Sequence, residues 1–169
     1  MSNDRLLASP TETRLYSAAA EYDLTVVSFG EVLVRAGNGF DTAEFIGGPN
    51  DDLLMLKWLR QDNLTKSPKT EMMDSATDGD TYKVTARNFD RTTARGGQGG
   101  YDIAKFWDTL DDDRFVADGD TAAMYSPEND LRYDAVAFDK VKFNHINGGN
   151  DKTEKGASYD FILDEFWGP

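Results

Sequence analysis

The feature that most constrains this chain is an internal similarity between three of its segments. Each segment opens with Phe, continues through alternating residues to Gly-x-Asp, and has a small residue two positions after the Asp. The segments are Phe29–Ala43, Phe89–Ala104 and Phe138–Thr153. A unit of about 50 residues with several short strands cannot bury an apolar face alone, so copies of it must stack on one another.

A second similarity has the same order along the chain. Asp4–Ser17 aligns without a gap with Asp113–Ser126, and the matching stretch of the middle copy begins at Asp52 and contains an insertion. We therefore predict one repeat domain over residues 1–169, with a partial repeat at 1–21 and repeats at about 22–75, 76–126 and 127–169. Because the chain opens in the middle of a repeat, we expect it to be a fragment of a longer array.

Alternation of apolar and polar residues predicts strands. Glu31–Arg35, Thr81–Ala86 and Phe138–Phe143 alternate with period two, and Gly-rich turns separate the alternating runs. The predicted fold class is all-β. The first choice is a short β-solenoid (parallel β-helix or β-roll-like) of about three repeats, and a β-sandwich is the alternative.

Three segments are less regular. Asp52–Asn63 fits either a strand or a short helix, whereas Asn63–Thr70, which contains Pro68, is expected to be an exposed loop. The apolar residues Leu163, Phe166 and Trp167 predict a strand or a cap that closes the last repeat.

The charge of the chain excludes several functions. It has 31 acidic and 18 basic residues, for a net charge of −13, so it repels nucleic acid and anionic membrane surfaces. It contains no cysteine, which removes disulfides, thiolate nucleophiles and Cys-type zinc sites together. The acidity fits either a solvated surface or carboxylates that converge on a hard cation such as Ca²⁺.

The sequence offers little support for an enzyme. Its single histidine, His145, is a weak candidate for a catalytic base, and no HExxH motif or P-loop is present. Arg87, Arg91 and Arg95 are spaced at four, so on one strand they would share a face and could bind an acidic glycan or form surface salt bridges. A carbohydrate-binding or accessory domain of a polysaccharide lyase or epimerase is therefore the enzymatic alternative.

One turn carries a family resemblance. Ala36–Glu44 resembles the nonapeptide of the repeats-in-toxin (RTX) calcium-binding β-rolls, and Gly47–Met55 is a looser match. The resemblance implies Ca²⁺ as a cofactor and five aspartates as its ligands. These are Asp41, Asp52, Asp102, Asp113 and Asp151. The competing interpretation is that the aspartates form turns by bonding nearby backbone.

The longer unit is also similar to long repeats of large secreted proteins from planctomycete-type bacteria. This resemblance implies an extracellular or cell-surface location. We expect a non-enzymatic structural or adhesive module, because the acidic residues recur with the repeat and do not mark a unique active site. Its expected partners are the rest of the parent polypeptide or neighbouring copies, bound through the exposed solenoid edge, and acidic glycans. Membrane insertion is not expected. A subunit of a filament or surface layer is a third possibility, because an open edge can accept another chain.

Overall fold

The computed structural model describes residues 3–17, 19, 21–60, 66–74 and 82–168. These residues form sixteen strands and one 3₁₀ turn at Pro127–Asn129, so the prediction of an all-β fold is confirmed. The strands are β1 (Arg5–Ala8), β2 (Glu12–Ser17), β3 (Tyr22–Val27), β4 (Glu31–Arg35), β5 (Thr42–Ile46), β6 (Asp52–Arg60), β7 (Lys66–Asp74), β8 (Lys83–Arg87), β9 (Arg91–Arg95), β10 (Ile103–Trp107), β11 (Arg114–Gly119), β12 (Thr121–Ser126), β13 (Leu131–Val136), β14 (Lys140–His145), β15 (Lys152–Tyr159) and β16 (Ile162–Trp167).

The strands form two mixed sheets. The nine-stranded sheet has the order β15-β11-β12-β13-β9-β5-β1-β2-β3, and the seven-stranded sheet has the order β16-β14-β10-β6-β7-β8-β4. Strands β1, β5, β9 and β13 are parallel neighbours in the first sheet. Strands β6, β10, β14 and β16 are parallel neighbours in the second. A wholly antiparallel sandwich would lack these parallel runs.

The chain alternates between the two sheets. Three antiparallel meanders, β1–β3, β6–β8 and β11–β13, lie in the nine-stranded, the seven-stranded and again the nine-stranded sheet. Between meanders, one strand is placed in each sheet. Five consecutive strands therefore form one structural unit. In the next unit, each corresponding strand lies in the opposite sheet.

The core lies between the sheets. The nine-stranded sheet contributes Leu6, Phe45 and Phe115, and the seven-stranded sheet contributes Leu56 and Phe143, all with at most 1% exposure. The rings of Phe115 and Phe143 meet with their centroids 4.6 Å apart. Burial of such side chains contributes about 1.5–3 kcal/mol each, and it is the main force holding the two sheets together.

The segment predicted as a loop contains a strand instead. Asp52–Arg60 is the strand β6, which settles its strand-or-helix ambiguity, and it pairs along its length with β7. The expectation of an exposed loop over residues 63–70 is wrong from Lys66 onward, because Ser67 and Thr70 are buried. Residues 63–65 and the proposed repeat boundary at 75/76 lie outside the described residues.

Pro68 is tolerated in β7 because of its position. Its carbonyl accepts the backbone N–H of Asn88 at 3.0 Å, and in a strand the N–H of a residue points to the same side as its carbonyl. The missing N–H therefore faces the end of β8, beyond the first β7–β8 pair at Lys69 and Arg87. No hydrogen bond between β6 and β7 is lost, which is where proline is compatible with a sheet.

The other strand predictions agree with the structure. Strands β4, β8 and β14 lie in the three alternating runs, of which Thr81 is outside the described residues, and Leu163–Trp167 lies within β16. Within the described part of the chain, no helix has the length and apolar character needed to cross a bilayer.

Candidate functional site

Buried aspartates mark the starts of the parallel strands. The five predicted metal ligands lie at these starts: Asp41, Asp102, Asp113 and Asp151 immediately precede β5, β10, β11 and β15, and Asp52 is the first residue of β6. Three further aspartates, Asp4, Asp90 and Asp139, lie just before β1, β9 and β14. Asp41, Asp52, Asp102 and Asp113 are at most 2% exposed, which is unusual for a carboxylate.

These eight residues form three ladders, here called the aspartate ladders, in which one backbone N–H donates to the next carboxylate. Five such hydrogen bonds are present among the described residues. They run from Asp4 to Asp41 and from Asp41 to Asp90 (2.7 and 2.6 Å), from Asp52 to Asp102 and from Asp102 to Asp139 (2.8 and 2.7 Å), and from Asp113 to Asp151 (2.9 Å). Each bond joins the starts of two parallel neighbouring strands.

The same carboxylates fix the turns that lead into their own strands. Asp52 accepts the backbone N–H of Gly48 at 2.7 Å, and Asp102 accepts that of Gly97 at 2.8 Å. Asp113 accepts both the N–H and the hydroxyl of Thr109. This is the turn-forming chemistry expected of aspartate, extended by a bond to the adjacent strand.

Burial raises the pKa of four carboxyl groups in the ladders. Loss of hydration is the main cause at Asp41, Asp52, Asp102 and Asp113, and neighbouring carboxylates add to it. Hydrogen bonds from backbone N–H groups oppose the rise, since they stabilise the ionised form. The Tyr82 hydroxyl donates to Asp52 Oδ1 at 2.7 Å and acts in the same way.

The groups that come together are not those expected from the RTX-like turns. The resemblance places Asp41 with Asp52 and Asp102 with Asp113. The ladder bonds join Asp52 to Asp102 and Asp113 to Asp151, while Asp41 lies in a separate ladder. The reason is that consecutive units exchange sheets, so Asp52 at the start of β6 is adjacent to Asp102, just before β10, in the seven-stranded sheet.

Calcium binding at these five positions is a hypothesis. Hydrogen bonds within the protein already satisfy the oxygens of three of the five carboxylates. Both oxygens of Asp52, Asp102 and Asp113 accept hydrogen bonds, from Gly48 and Tyr82, from Asp52 and Gly97, and from Thr109. Over the ranges that the structure describes, no three carboxylate or imidazole side chains form a group suited to a metal ion.

Sequence reasoning missed Asp4, Asp90 and Asp139 as members of the ladders. The signal was present at two of them, because Phe89-Asp90 and Phe138-Asp139 repeat one dipeptide. Phe89 and Phe138 are at most 3% exposed, so each phenylalanine anchors its turn in the core. The Asp that follows then faces the preceding parallel strand.

His145 is a packed residue. Its ring stacks on Trp167 at 3.7 Å and meets the edge of Phe115, and only 5% of the residue is exposed. Nδ1 lies 3.7 Å from an Asp151 oxygen. Burial lowers the pKa of the imidazole despite that carboxylate, so His145 is neutral at pH 7. A substrate could reach this ring only if the surrounding aromatic residues moved.

Asp108 and Asp151 form a buried carboxyl pair beside His145. Asp108 is fully buried and accepts the backbone N–H of Asn147 at 2.8 Å through Oδ2, while its Oδ1 has no hydrogen-bond partner among the described residues. Burial and the charge of Asp151 raise the pKa of Asp108 to about 6. Because the pair is enclosed, it affects stability and does not form an accessible site.

The arginine cluster predicted to share one face is divided between the sheets. Arg91 and Arg95 lie on one face of β9, as predicted, but Arg87 ends β8 in the other sheet. The chain crosses between the sheets at residues 88–90, which the four-residue spacing did not reveal. The Nε atom of Arg95 lies 3.8 Å from a carboxylate oxygen of Glu44, which is an ion pair on the surface of the sheet.

Comparison with known proteins supplies no relative. No family model matches the chain, and neither a curated protein nor a solved structure matches it.

Proposed function

We propose that this chain is a non-enzymatic structural and adhesive module of a secreted or surface repeat protein. It is a short β-solenoid that stacks end to end on further coils of its own kind. One observation carries the proposal: in each sheet, the two edge strands run in the same direction. The edge at one end of a copy can therefore pair in parallel with the edge at the opposite end of the next copy.

The strand directions follow from the pairing. In the nine-stranded sheet, two antiparallel steps lie on each side of the parallel run, so β15 and β3 point the same way. In the seven-stranded sheet, the two antiparallel steps at β7 leave β16 and β4 pointing the same way. A second copy can therefore place its β3 and β4 beside β15 and β16 in parallel.

Both ends present apolar side chains. Leu24, Val27 and Leu33 at the β3–β4 end are each more than half exposed, as are Ile162, Phe166 and Trp167 at the β15–β16 end. Exposed apolar residues on an unpaired strand edge are a template for pairing with another chain. Stacking would bury these side chains and pair the free backbone groups together.

The solenoid description rests on how the coils are joined. The aspartate ladders join the starts of neighbouring parallel strands, and the five-strand order recurs along the chain. Within a longer polypeptide, the same edges would accept the preceding and following coils. Between separate copies, the head-to-tail contact does not close and leads to a filament.

The non-enzymatic assignment rests on the distribution of acids. The buried aspartates occur at equivalent strand starts along the chain, where their backbone N–H groups donate structural hydrogen bonds and their carboxylates accept them. A catalytic centre requires instead a single cluster with a distinct geometry in a cleft. The secreted or surface setting follows from the resemblance to extracellular repeats.

The test is removal of one outward-facing N–H from an edge strand. Ala36 donates its backbone N–H to Arg87 on β8, so the N–H of Leu33, an odd number of residues away, faces the free edge. Leu33→Pro removes that donor and leaves the β4–β8 bonds intact. Leu33→Thr is the matched control, since it shortens the apolar side chain and keeps the N–H.

Sedimentation velocity over a concentration series measures the outcome. We expect the unmodified chain and Leu33→Thr to form oligomers that grow with concentration. Leu33→Pro should stay monomeric alone and should cap oligomers of the unmodified chain, because its β16 edge is intact. A monomeric unmodified chain at its highest soluble concentration, or oligomers of Leu33→Pro equal to those of the unmodified chain, would contradict the proposal.

A further inference from the structure

The outer face of the nine-stranded sheet carries a row of cationic and aromatic side chains. The cross-strand register aligns eight residues from β15 to β2, here called the basic row. They are Lys152, Arg114, Tyr125, Arg132, Arg91, Thr42, Arg5 and Tyr16. From this row we propose a binding site for a carboxylated polysaccharide, centred on the groove between Arg5 and Arg91. This inference rests on the proposed function and names a ligand for its adhesive role.

The basic row stands out against the charge of the chain. The net charge is −13, yet five of the eight residues in this row are cations and none is an acid. The next residue along the row is Asp23 on β3, which pairs with Arg14. Such a local concentration of positive charge attracts an anion at short range even when the whole molecule is acidic.

Three of the five cations form no ion pair among the described residues, and two of these three, Arg5 and Arg91, border one groove. Arg114 pairs with Glu154 and Arg132 pairs with Asp134, which lie in the adjacent row. The side chains of Arg5 and Arg91 are exposed and form no ion pair with any residue that the structure describes. A guanidinium group offers a rigid fork of donors that matches a carboxylate, so two unpaired arginines on one face are suited to binding carboxylates.

A groove separates the two free arginines. It has a volume of about 280 Å³, and Thr42 on the intervening strand β5 lies between Arg5 and Arg91. Tyr16 lines the groove beside Arg5, and Glu44 lines it in association with Arg95. The short Thr42 side chain between two long arginines leaves the depression in the sheet surface.

A second groove continues on the other side of Arg91. It has a volume of about 250 Å³, and its lining includes Arg91, Arg132 and Tyr125 together with the acids Asp90 and Asp130. The guanidinium of Arg132 lies 4.8 Å from the centroid of Tyr125, which holds that ring in place. Since Arg91 borders both grooves, an extended chain can cross it from one groove to the other.

The spacing of the free charges favours a polysaccharide over nucleic acid. Arg5 and Arg91 are two strands apart, which corresponds to about 9.6 Å across a sheet. A uronate polymer has one carboxylate on each sugar or on every second sugar, and this sparse charge matches two separated arginines. Duplex DNA has one charge per about 1.7 Å and would meet strong repulsion from a chain of net charge −13.

Affinity electrophoresis in native gels tests the site. Gels contain polygalacturonate, dextran sulfate or neutral dextran, with EDTA present so that calcium cannot bridge polymer and protein. The test variant is Arg5→Gln with Arg91→Gln. The matched control is Lys105→Gln with Lys142→Gln, which makes the same charge change on the outer face of the other sheet.

We expect polygalacturonate to retard the unmodified chain and the control equally, with retardation reduced at least tenfold in the arginine variant and weakened by salt. Dextran should retard none of them. The proposal is overturned if polygalacturonate has no effect, or if the control variant loses binding as much as the arginine variant. Binding to dextran sulfate alone would overturn the carboxylate assignment. The edge strands are untouched, so this result is separate from that of the stacking test.

Discussion

The backbone N–H of Asp52 donates to the Oδ1 atom of Asp102, 50 residues later in the chain, at 2.8 Å. The Oδ2 atom of the same carboxylate accepts the N–H of Gly97. One side chain thus holds its own turn and the start of the neighbouring parallel strand. The same kind of bond from a backbone N–H to a carboxylate occurs in all three ladders, so the aspartates link the starts of neighbouring parallel strands.

Asp102→Ala is expected to destabilise the fold, because it leaves two backbone N–H groups, of Asp52 and Gly97, without acceptors. The cost is about 1–3 kcal/mol, reduced from a larger value because a buried charge is removed as well. Urea unfolding at pH 7 measures it. Glu128→Ala, which removes an exposed acid from the 3₁₀ turn, is the control. Equal stability of the two variants would show that the ladder bond contributes nothing.

Gly97→Ala should be more damaging than Gly37→Ala. A Cβ atom at Gly97 would overlap the carbonyl oxygen of Gly48 in the adjacent turn, whereas nothing lies within 4 Å of one at Gly37. Overpacking costs about 1–3 kcal/mol, and here the obstacle is backbone that cannot rotate away. Thermal unfolding of both variants tests the contact. A normal melting temperature for Gly97→Ala would mean that the two turns are not stacked.

Asp108→Asn should stabilise the protein at pH 7. The pKa of Asp108 in the folded state, about 6, lies above that of an unfolded Asp, about 3.9. Its contribution to stability is therefore complete below about pH 3.9 and is lost as the pH rises through about 6. Urea unfolding from pH 4 to 8 should show a smaller decline with rising pH in the variant than in the unmodified chain. A steeper decline, or a less stable variant at pH 7, would contradict this assignment.

The ionisation of Glu71 should change stability with pH in the opposite direction from that of Asp108. Glu71 is buried in β7, and the ammonium groups of Lys69 and Lys57 lie 2.6 and 3.2 Å from its oxygens. Burial raises its pKa, but these two lysines outweigh burial and lower the pKa overall. The stability that it contributes is thus present above about pH 4.3 and lost as the pH falls through the lower folded value.

Glu71→Gln should therefore cost about 1–3 kcal/mol at pH 7, since it leaves Lys69 without its charged partner. The difference in the free energy of unfolding between Glu71→Gln and the unmodified chain should shrink as the pH falls through the lowered pKa of Glu71, because both side chains are then neutral. Glu128→Gln serves as the exposed control. A difference that is constant from pH 3 to 7 would exclude an electrostatic origin.

Calcium is expected to leave the melting temperature unchanged. The oxygens of Asp52, Asp102 and Asp113 already accept hydrogen bonds within the fold. An ion bound only by the native state would raise stability by about 2.7 kcal/mol at 100 times its dissociation constant. Circular dichroism melts in EDTA and in millimolar Ca²⁺ measure the effect. A rise that EDTA reverses and Asp41→Asn abolishes would restore the RTX-like interpretation.

The sequence predicted the strands well wherever a strand was amphipathic. Glu31–Arg35 and Phe138–Phe143 alternate with period two because one face of each contacts the core, and both are strands in the structure. It failed at Lys66–Thr70, where Pro68 suggested a loop. A proline is excluded from a strand only if its N–H is needed, and that depends on where the neighbouring strand ends.

The candidate sites show the same division. The Gly-x-Asp turns identified Asp41, Asp102 and Asp151 as a related set, because the conformation of a turn is a local property of a few residues. Their partners could not be read in the same way. The exchange of sheets at each step makes Asp102 the neighbour of Asp52, a relationship set by strand order.

By itself, then, the sequence determined the all-β class, the positions of several strands and the aspartate-bearing turns. The tertiary structure alone decided which carboxylates share a ladder, that Arg87 lies apart from Arg91, and that Arg5 and Arg91 border one groove. The physical reason is that strand propensity and turn conformation act over a few residues. Register across a sheet places side by side residues that are tens of positions apart, and it is fixed only when the whole core packs.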